Sequence, residues 1–190
     1  MLNFNFAHFP VIKTERLILR QITSDDVNEV FELRSNPETM KYIPRPLAKT
    51  IQDALTHIAT IEEKIILNEG INWGITLKDN SKLLGMIGYY RMQPENYRAE
   101  IGYILLPEFH GKGIVTEAVE RLISYGFNDL QLHSIEAIID PENLASDKVL
   151  QKCGFTKEGH LRECQFYEGK FIDKVIYSLL SNKNRNNYLK

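Results

Sequence analysis

Cysteine, tryptophan and long apolar runs are what this chain of 190 residues has least of. Its two cysteines, Cys153 and Cys164, make neither a disulfide framework nor a Cys-x-x-Cys pair, and its five histidines lack metal-ligand spacing. No metal site is expected, and the thiols are expected to be reduced, in a cytoplasmic protein. No segment approaches the roughly 20 apolar residues that span a bilayer. In the opening MLNFNFAHFPVIKTERLILR, Lys13 and Arg16 follow the apolar residues instead of preceding them, so neither a signal peptide nor a membrane partner is expected. An excess of one charge is missing too. Lys plus Arg number 23 against 25 Asp plus Glu, a formal charge of −2, without the clustered basic face of a nucleic-acid binder. What the chain does have is 43% hydrophobic residues, ample for one core. We expect a single domain over residues 1–181 and a flexible polar C-terminal tail over 182–190.

Hydropathy patterning divides that domain. Thr14 to Ile22 alternates as a first strand, and the acids of TSDD at 23–26 open a helix running to about Arg34. Asn36, Pro37, Pro44 and Pro46 then break the chain. Thr50 starts a second helix to Leu67, with Ile51, Leu55, Ile58, Ile61, Ile65 and Ile66 on its buried side. Residues 71–92 read as a hairpin turning at Asp79 to Ser81, and AEIGYILL, 99–106, as a strand. A helix follows from Val115, then the strand HSIEAIID, 133–140. A short helix after Pro141 ends at Cys153-Gly154, and a closing hairpin turns at Glu168-Gly169-Lys170. The pattern predicts a mixed α/β fold of about seven strands and four helices. The 99–106 and 133–140 strands are parallel because a helix joins them, and a ligand cleft is expected at their carboxyl ends.

The most informative stretch is Phe109 to Val119, FHGKGIVTEAV, where Gly111 and Gly113 stand before an amphipathic helix with apolar residues at 115, 118, 119, 122, 123 and 126. Bare N–H groups at a helix N-terminus, free of Cβ bulk, suit a pyrophosphate. A Walker A loop would need Ser or Thr after the lysine, and a dinucleotide fingerprint would need three spaced glycines; neither is present.

His110-Gly111-Lys112-Gly113-Ile114-Val115 resembles the (Gln or Arg)-x-x-Gly-x-(Gly or Ala) motif of GNAT acetyltransferases. Only Gly113 matches strictly; His110 and Val115 depart from it, so backbone amides would carry most of the phosphate binding. TERLILR, EIGYIL, NLASDKVLQKCGF, EGHLRE and DKVIYSLL extend the likeness over residues 12–181, to the RimJ/RimL-like branch that acetylates protein N-termini. The resemblance implies a GNAT fold, a mostly antiparallel sheet with a parallel central pair, and acetyl-CoA as co-substrate. It also implies that Ile104, Leu105 and Leu106 pair with the pantetheine arm, that His110, Gly111, Lys112, Gly113, Ile114, Val115 and Thr116 hold the pyrophosphate, and that Asn143 and Ser146 reach the thioester, as positioning group and acid. Glu100 would be the base, acting directly or through water.

Each of these residues also has a plainer use. Asn143 is a good helix cap, Ser146 suits a first helical turn, and Glu100 could face solvent. Many relatives carry a tyrosine at the position of Leu150, which leaves Ser146 as the proposed acid. Trp73, Tyr89, Tyr90 and Tyr103 could line the acceptor cleft or simply fill the core. Glu117 and Arg121 read as an i, i+4 pair on the wet face of their helix. The acceptor is expected to be a protein N-terminal α-amine, neutral in roughly a tenth of molecules at pH 7 against well under a thousandth for a lysine-like amine. A polyamine acetyltransferase, or a CoA-binding sensor without turnover, are the alternatives, and the protein is expected to be a monomer or homodimer.

Overall fold

The computed structural model describes residues 1–181; the expected tail at 182–190 lies outside them. In chain order the elements are β1 (Ile12–Lys13), β2 (Leu17–Gln21), α1 (Val27–Ser35), α2 (Pro37–Met40), α3 (Ile51–Ile66), β3 (Ile71–Leu77), β4 (Asn80–Gln93), β5 (Arg98–Leu105), α4 (Ile114–Asn128), β6 (Ser134–Ile139), α5 (Leu144–Lys152), β7 (Thr156–Tyr167) and β8 (Lys170–Leu180).

Local chemistry accounts for the boundaries. Thr50 and Asp53 cap α3 reciprocally: Thr50 Oγ1 accepts from the Asp53 N–H at 3.2 Å, and Asp53 Oδ2 accepts from the Thr50 N–H at 2.9 Å. The buried stripe of α3 is Ala54, Ile58, Ile61 and Ile65, whereas Ile51 and Ile66, expected to be buried, are exposed. Ile66 sits about 100° around the helix from Ile65 and misses the core. Two features differ in number from the pattern. The expected first strand, Thr14 to Ile22, begins only at Leu17 and is preceded by a further short strand, β1, because Thr14 Oγ1 accepts from the Leu17 N–H at 2.8 Å and folds a tight turn between β1 and β2. The Asn36–Pro37 break holds a further one-turn helix, α2, capped by the Asn36 side chain on the N–H groups of Glu38 and Thr39.

One eight-stranded sheet runs β1-β2-β3-β4-β5-β6-β8-β7, and every neighbouring pair is antiparallel except β5–β6. The exception follows from the α4 crossover. Tyr89 on β4 buries its ring against α4 and donates its hydroxyl to the Leu122 carbonyl at 2.6 Å. That approach needs Gly126, since a Cβ there would collide with the Tyr89 hydroxyl. Trp73, also fully buried, donates to the Pro10 carbonyl at 2.7 Å. Both aromatics therefore belong to the core.

The feature that positions the site is a short pairing. β5 and β6 share only three rungs, Arg98–Ser134, Ala99–Ile135 and Glu100–Glu136. Beyond Glu100, β5 stays with β4 as far as Leu105–Gly85, while β6 stays with β8 as far as Ile139–Val175. The sheet parts there into two halves, and the gap opens at the carboxyl ends of the parallel pair, where α/β sheets bind ligands.

Candidate active site

Past the end of β5 a short turn, Pro107–Phe109, leads into His110 and the two glycines. Gly111 and Gly113 have φ of +73° and +74°, a conformation that costs other L-residues about 1–2 kcal/mol. Gly113 is the N-cap of α4, and its carbonyl accepts from the Glu117 N–H at 3.1 Å, which leaves the amides of Ile114, Val115 and Thr116 as the orphan donors of the first turn. A Cβ at Gly111 would meet nothing within 4 Å, so the loop presents open surface. A diphosphate fits this cradle through backbone donors.

The side chains of the loop brace it. A ring nitrogen of His110 lies 3.0 Å from the Leu105 carbonyl oxygen, Lys112 Nζ sits 5.2 Å from the Phe109 ring centroid, and the Ile114 side chain is buried in the core. Arg16 spans the loop from the β1–β2 turn, donating from Nη1 to the Lys112 carbonyl at 3.0 Å and from Nε to Glu117 Oε2 at 2.6 Å. Glu117 Oε1 also accepts from Thr14 Oγ1 at 2.5 Å and from the Arg16 N–H at 2.9 Å. Glu117 is thus a tertiary tie, not the wet-face partner of Arg121 expected from helix spacing. Its pKa is lowered: burial opposes this, but the bonds from Thr14 and Arg16 outweigh it.

Along β5, alternation decides what faces the gap. The Leu106 N–H donates to the Leu84 carbonyl, so the main chain of every second residue back from it points at β4. Ile101, Tyr103 and Leu105 therefore present their main chains to the gap. Of the three residues expected to meet the pantetheine arm, Leu105 faces the gap, while Ile104 and Leu106 direct their main chains at β4.

Glu100 stands at the last shared rung, its side chain 15% exposed, paired across β4 with Tyr90. A bulge between Tyr90 and Gln93 brings Arg91 Nη1 to 3.0 Å from Glu100 Oε2, without hydrogen-bond alignment. Burial raises the Glu100 pKa and Glu136 adds to the effect, against the charges of Arg91, Lys174 and Arg45. A carboxylate so placed can accept a proton at the mouth of the gap.

Asn143 is the cap of α5, its Oδ1 accepting from the Ser146 N–H at 3.1 Å. Leu150 is fully buried. On the opposite side of β5 from Glu100, Tyr103 extends to the same first turn and donates to the Ser146 carbonyl at 3.4 Å. Burial holds its phenol up at about 12, with Ser146 pulling the other way. The structure gathers Tyr103, Asn143 and Ser146 beside the gap. The sequence marked Tyr103 only as one strand aromatic among several, and its odd parity relative to Glu100 was the available signal.

An open sheet with a split parallel pair, a glycine loop capping the crossover helix and a carboxylate at the split together define a CoA-type acyltransferase architecture. Residues 16–156 match the acetyltransferase (GNAT) domain, and the chain belongs to that family of N-acetyltransferases. It is 38% identical over 172 residues to the uncharacterized N-acetyltransferase YoaA of Bacillus subtilis (strain 168), covering 90% of this chain and 97% of that one. Over 114 residues it is 40% identical to YdaF of the same organism, named as a candidate ribosomal N-acetyltransferase, covering 60% of this chain and 61% of YdaF. The crystal structure of a GNAT-family acetyltransferase from Bacillus anthracis superposes with a TM-score of 0.81 at 30% identity, covering 90% of this chain and 98% of that one.

Proposed function

We propose that the protein moves an acetyl group from acetyl-CoA to the α-amine of a protein N-terminus. The observation that carries this reading is Glu100, largely enclosed at the rung where β5 and β6 part, with Glu136 as its rung partner and the charges of Arg91, Lys174 and Arg45 around it. The likeness to YdaF supports the acceptor class.

Binding falls to the amides from Gly111 to Thr116 for the diphosphate and to the main-chain edge at Leu105, flanked by Ile104 and Leu106, for the pantetheine arm. Glu100, directly or through water, takes a proton from the incoming ammonium. The freed nitrogen attacks the thioester carbon; the C–N bond forms, the C–S bond breaks, and the proton that the nitrogen sheds on becoming an amide balances the one that the departing sulfur takes up. Asn143 acts through the start of α5, because its side chain is committed to the cap. Ser146 is the group nearest the role of proton donor. Tyr103, at about 12, and the still less acidic Ser146 hydroxyl both lie well above an alkyl thiol at about 8.5, so each can hydrogen-bond the leaving sulfur while water supplies the proton through them.

Labelled acetyl-CoA supplied with Ala- or Ser-initiated peptides, beside spermidine, tests the acceptor. Acetylated peptide is expected. Acetylated spermidine alone would favour the polyamine reading, which a 28% identity to the spermidine N(1)-acetyltransferase of Escherichia coli (strain K12) over 83% of this chain supports. No amine acetylated would leave a coenzyme-binding module. For Ser146→Ala, turnover should fall with acetyl-CoA affinity unchanged; parental turnover would remove its role.

A further inference from the structure

The segment between α2 and α3 folds back on the end of α1. The Ala48 N–H donates to the Arg34 carbonyl at 3.0 Å, the Ile43 N–H to the Met40 carbonyl at 2.8 Å and the Arg45 N–H to the Ile43 carbonyl at 2.7 Å. Arg45 is thereby set close to Arg34, on the face of the sheet that carries Tyr90 and Glu100. The partly buried Arg34 guanidinium donates from Nη1 to the Met40 thioether at 3.3 Å, a weak acceptor. Among the described residues, no carboxylate reaches Arg34 or Arg45 at ion-pair distance, whereas Arg16, Arg20 and Arg98 each hold one.

The surroundings sharpen the contrast. The Tyr90 ring lies against Gly102, where a Cβ would come within 3.0 Å of it, so the phenol is held over the β5 strand. Burial and then the charge of Arg45 lower the Arg34 pKa, against weaker support from Tyr90 and Tyr167. His57 on α3 is pushed down to about 4 by burial and by the charges of Arg34, Arg45 and Lys64, so it adds no charge near neutrality. Keeping two cations together, one of them partly desolvated, with no carboxylate in contact and only the more distant charge of Glu100 acting on Arg45, is unfavourable. A ligand that brings the anion relieves it.

We propose that Arg34 and Arg45, with Tyr90, form an oxyanion subsite that selects acceptors carrying a carboxylate close to the reacting amine, as a peptide with acidic residues just after its N-terminal residue would. This rests on the reading of Glu100 as the group that receives the amine. The same pair repels the distal ammonium of a polyamine. A phosphate offers the same oxyanion chemistry, so both sources enter the test.

The experiment is calorimetric titration of the CoA-saturated protein with three peptides: Ser-Asp-Glu-, Ser-Gln-Gln- and Ser-Lys-Lys-initiated. AMP is titrated in parallel as the phosphate probe. The acidic peptide should bind at least tenfold more tightly than the neutral one, and the basic one most weakly. In Arg34→Gln/Arg45→Gln the acidic and neutral peptides should bind within twofold of each other, while CoA affinity, read at the distant glycine loop, stays unchanged. Exposed Arg45→Gln alone should remove part of the preference if the double variant folds poorly. AMP binding lost in the double variant, with no peptide preference, would keep the oxyanion site and overturn the carboxylate assignment. Equal peptide affinities with no AMP binding, or a preference that survives the double substitution, would overturn the subsite. Selective binding without acetylated peptide would instead sink the proposed function and leave the subsite standing.

Discussion

Around the glycine loop, the charged and polar side chains are matched within the protein; around the acceptor face they are not. Arg16 joins Glu117 and the Lys112 carbonyl, Thr14 joins Glu117, and His110 meets the Leu105 carbonyl. On the other face, among the described residues, the Arg34 guanidinium meets only a thioether, Arg45 has no carboxylate at ion-pair distance, and Glu100 touches Arg91 off-axis. The difference teaches which side is finished before a ligand arrives. A loop whose braces are internal presents its amides already ordered, as suits one invariant coenzyme. A face that leaves its charges unmatched would, on the proposed reading, be completed by the acceptor and could discriminate among acceptors.

The strongest way to break the comparison is to ruin the finished side. Gly113→Glu puts a Cβ at positive φ and a carboxylate beside the amides proposed to hold the diphosphate. Calorimetry should find CoA affinity reduced more than about 100-fold, whereas Gly113→Ala, which adds strain alone at about 1–2 kcal/mol, should lose roughly tenfold. Unchanged CoA affinity in Gly113→Glu would refute the cradle.

On the unfinished side the leading effect is chemical and depends on pH. An N-terminal α-amine titrates near 7.7–8.0, so the free amine is scarce at pH 6.5 and dominant at pH 9. Glu100→Gln removes the proposed base, whose pKa burial raises, and kcat/KM should fall by about 100-fold at pH 6.5 but by less than tenfold at pH 9. A pH–rate profile superimposable on the parent would remove Glu100 from the mechanism and leave water as the base.

Much of the matched side was legible because it is written locally. Gly111 and Gly113 announce a backbone free of Cβ bulk, the apolar spacing from Val115 onward announces α4, and a helix between two strands announces the parallel pair. Periodicity reports which face of an element is buried but not what it meets. The split at Glu100 depends on how long β5 and β6 stay in register, which is set by their outer partners β4 and β8. Glu117 looked like a surface residue because its partners, Thr14 and Arg16, lie about a hundred positions away. Arg34 with Arg45, and Tyr103 with Ser146, were illegible for the same reason: proximity created by the fold leaves no mark in spacing.

The smallest effect tests whether the matched side is held by its ties. Glu117→Gln weakens three bonds to a carboxylate that is 18% exposed on its side chain, beside an Arg16 that is 47% exposed. Discounted for that solvent access, the loss should be about 1–2 kcal/mol at pH 7, a fall in Tm of roughly 2–6 °C. The sign with pH is fixed by the lowered folded-state pKa. The unfolded chain binds a proton at Glu117 more readily than the folded one, so this stabilisation is complete above the ordinary glutamate range. It drains away as pH falls through the lower folded value. Parent and variant should therefore differ most in Tm near neutrality and converge only once the pH has fallen below the lowered folded-state value. A difference that persists undiminished in acid would mean that Glu117 holds the loop by packing or neutral hydrogen bonds, and the contrast between a charge-matched coenzyme side and an unmatched acceptor side would lose its electrostatic basis.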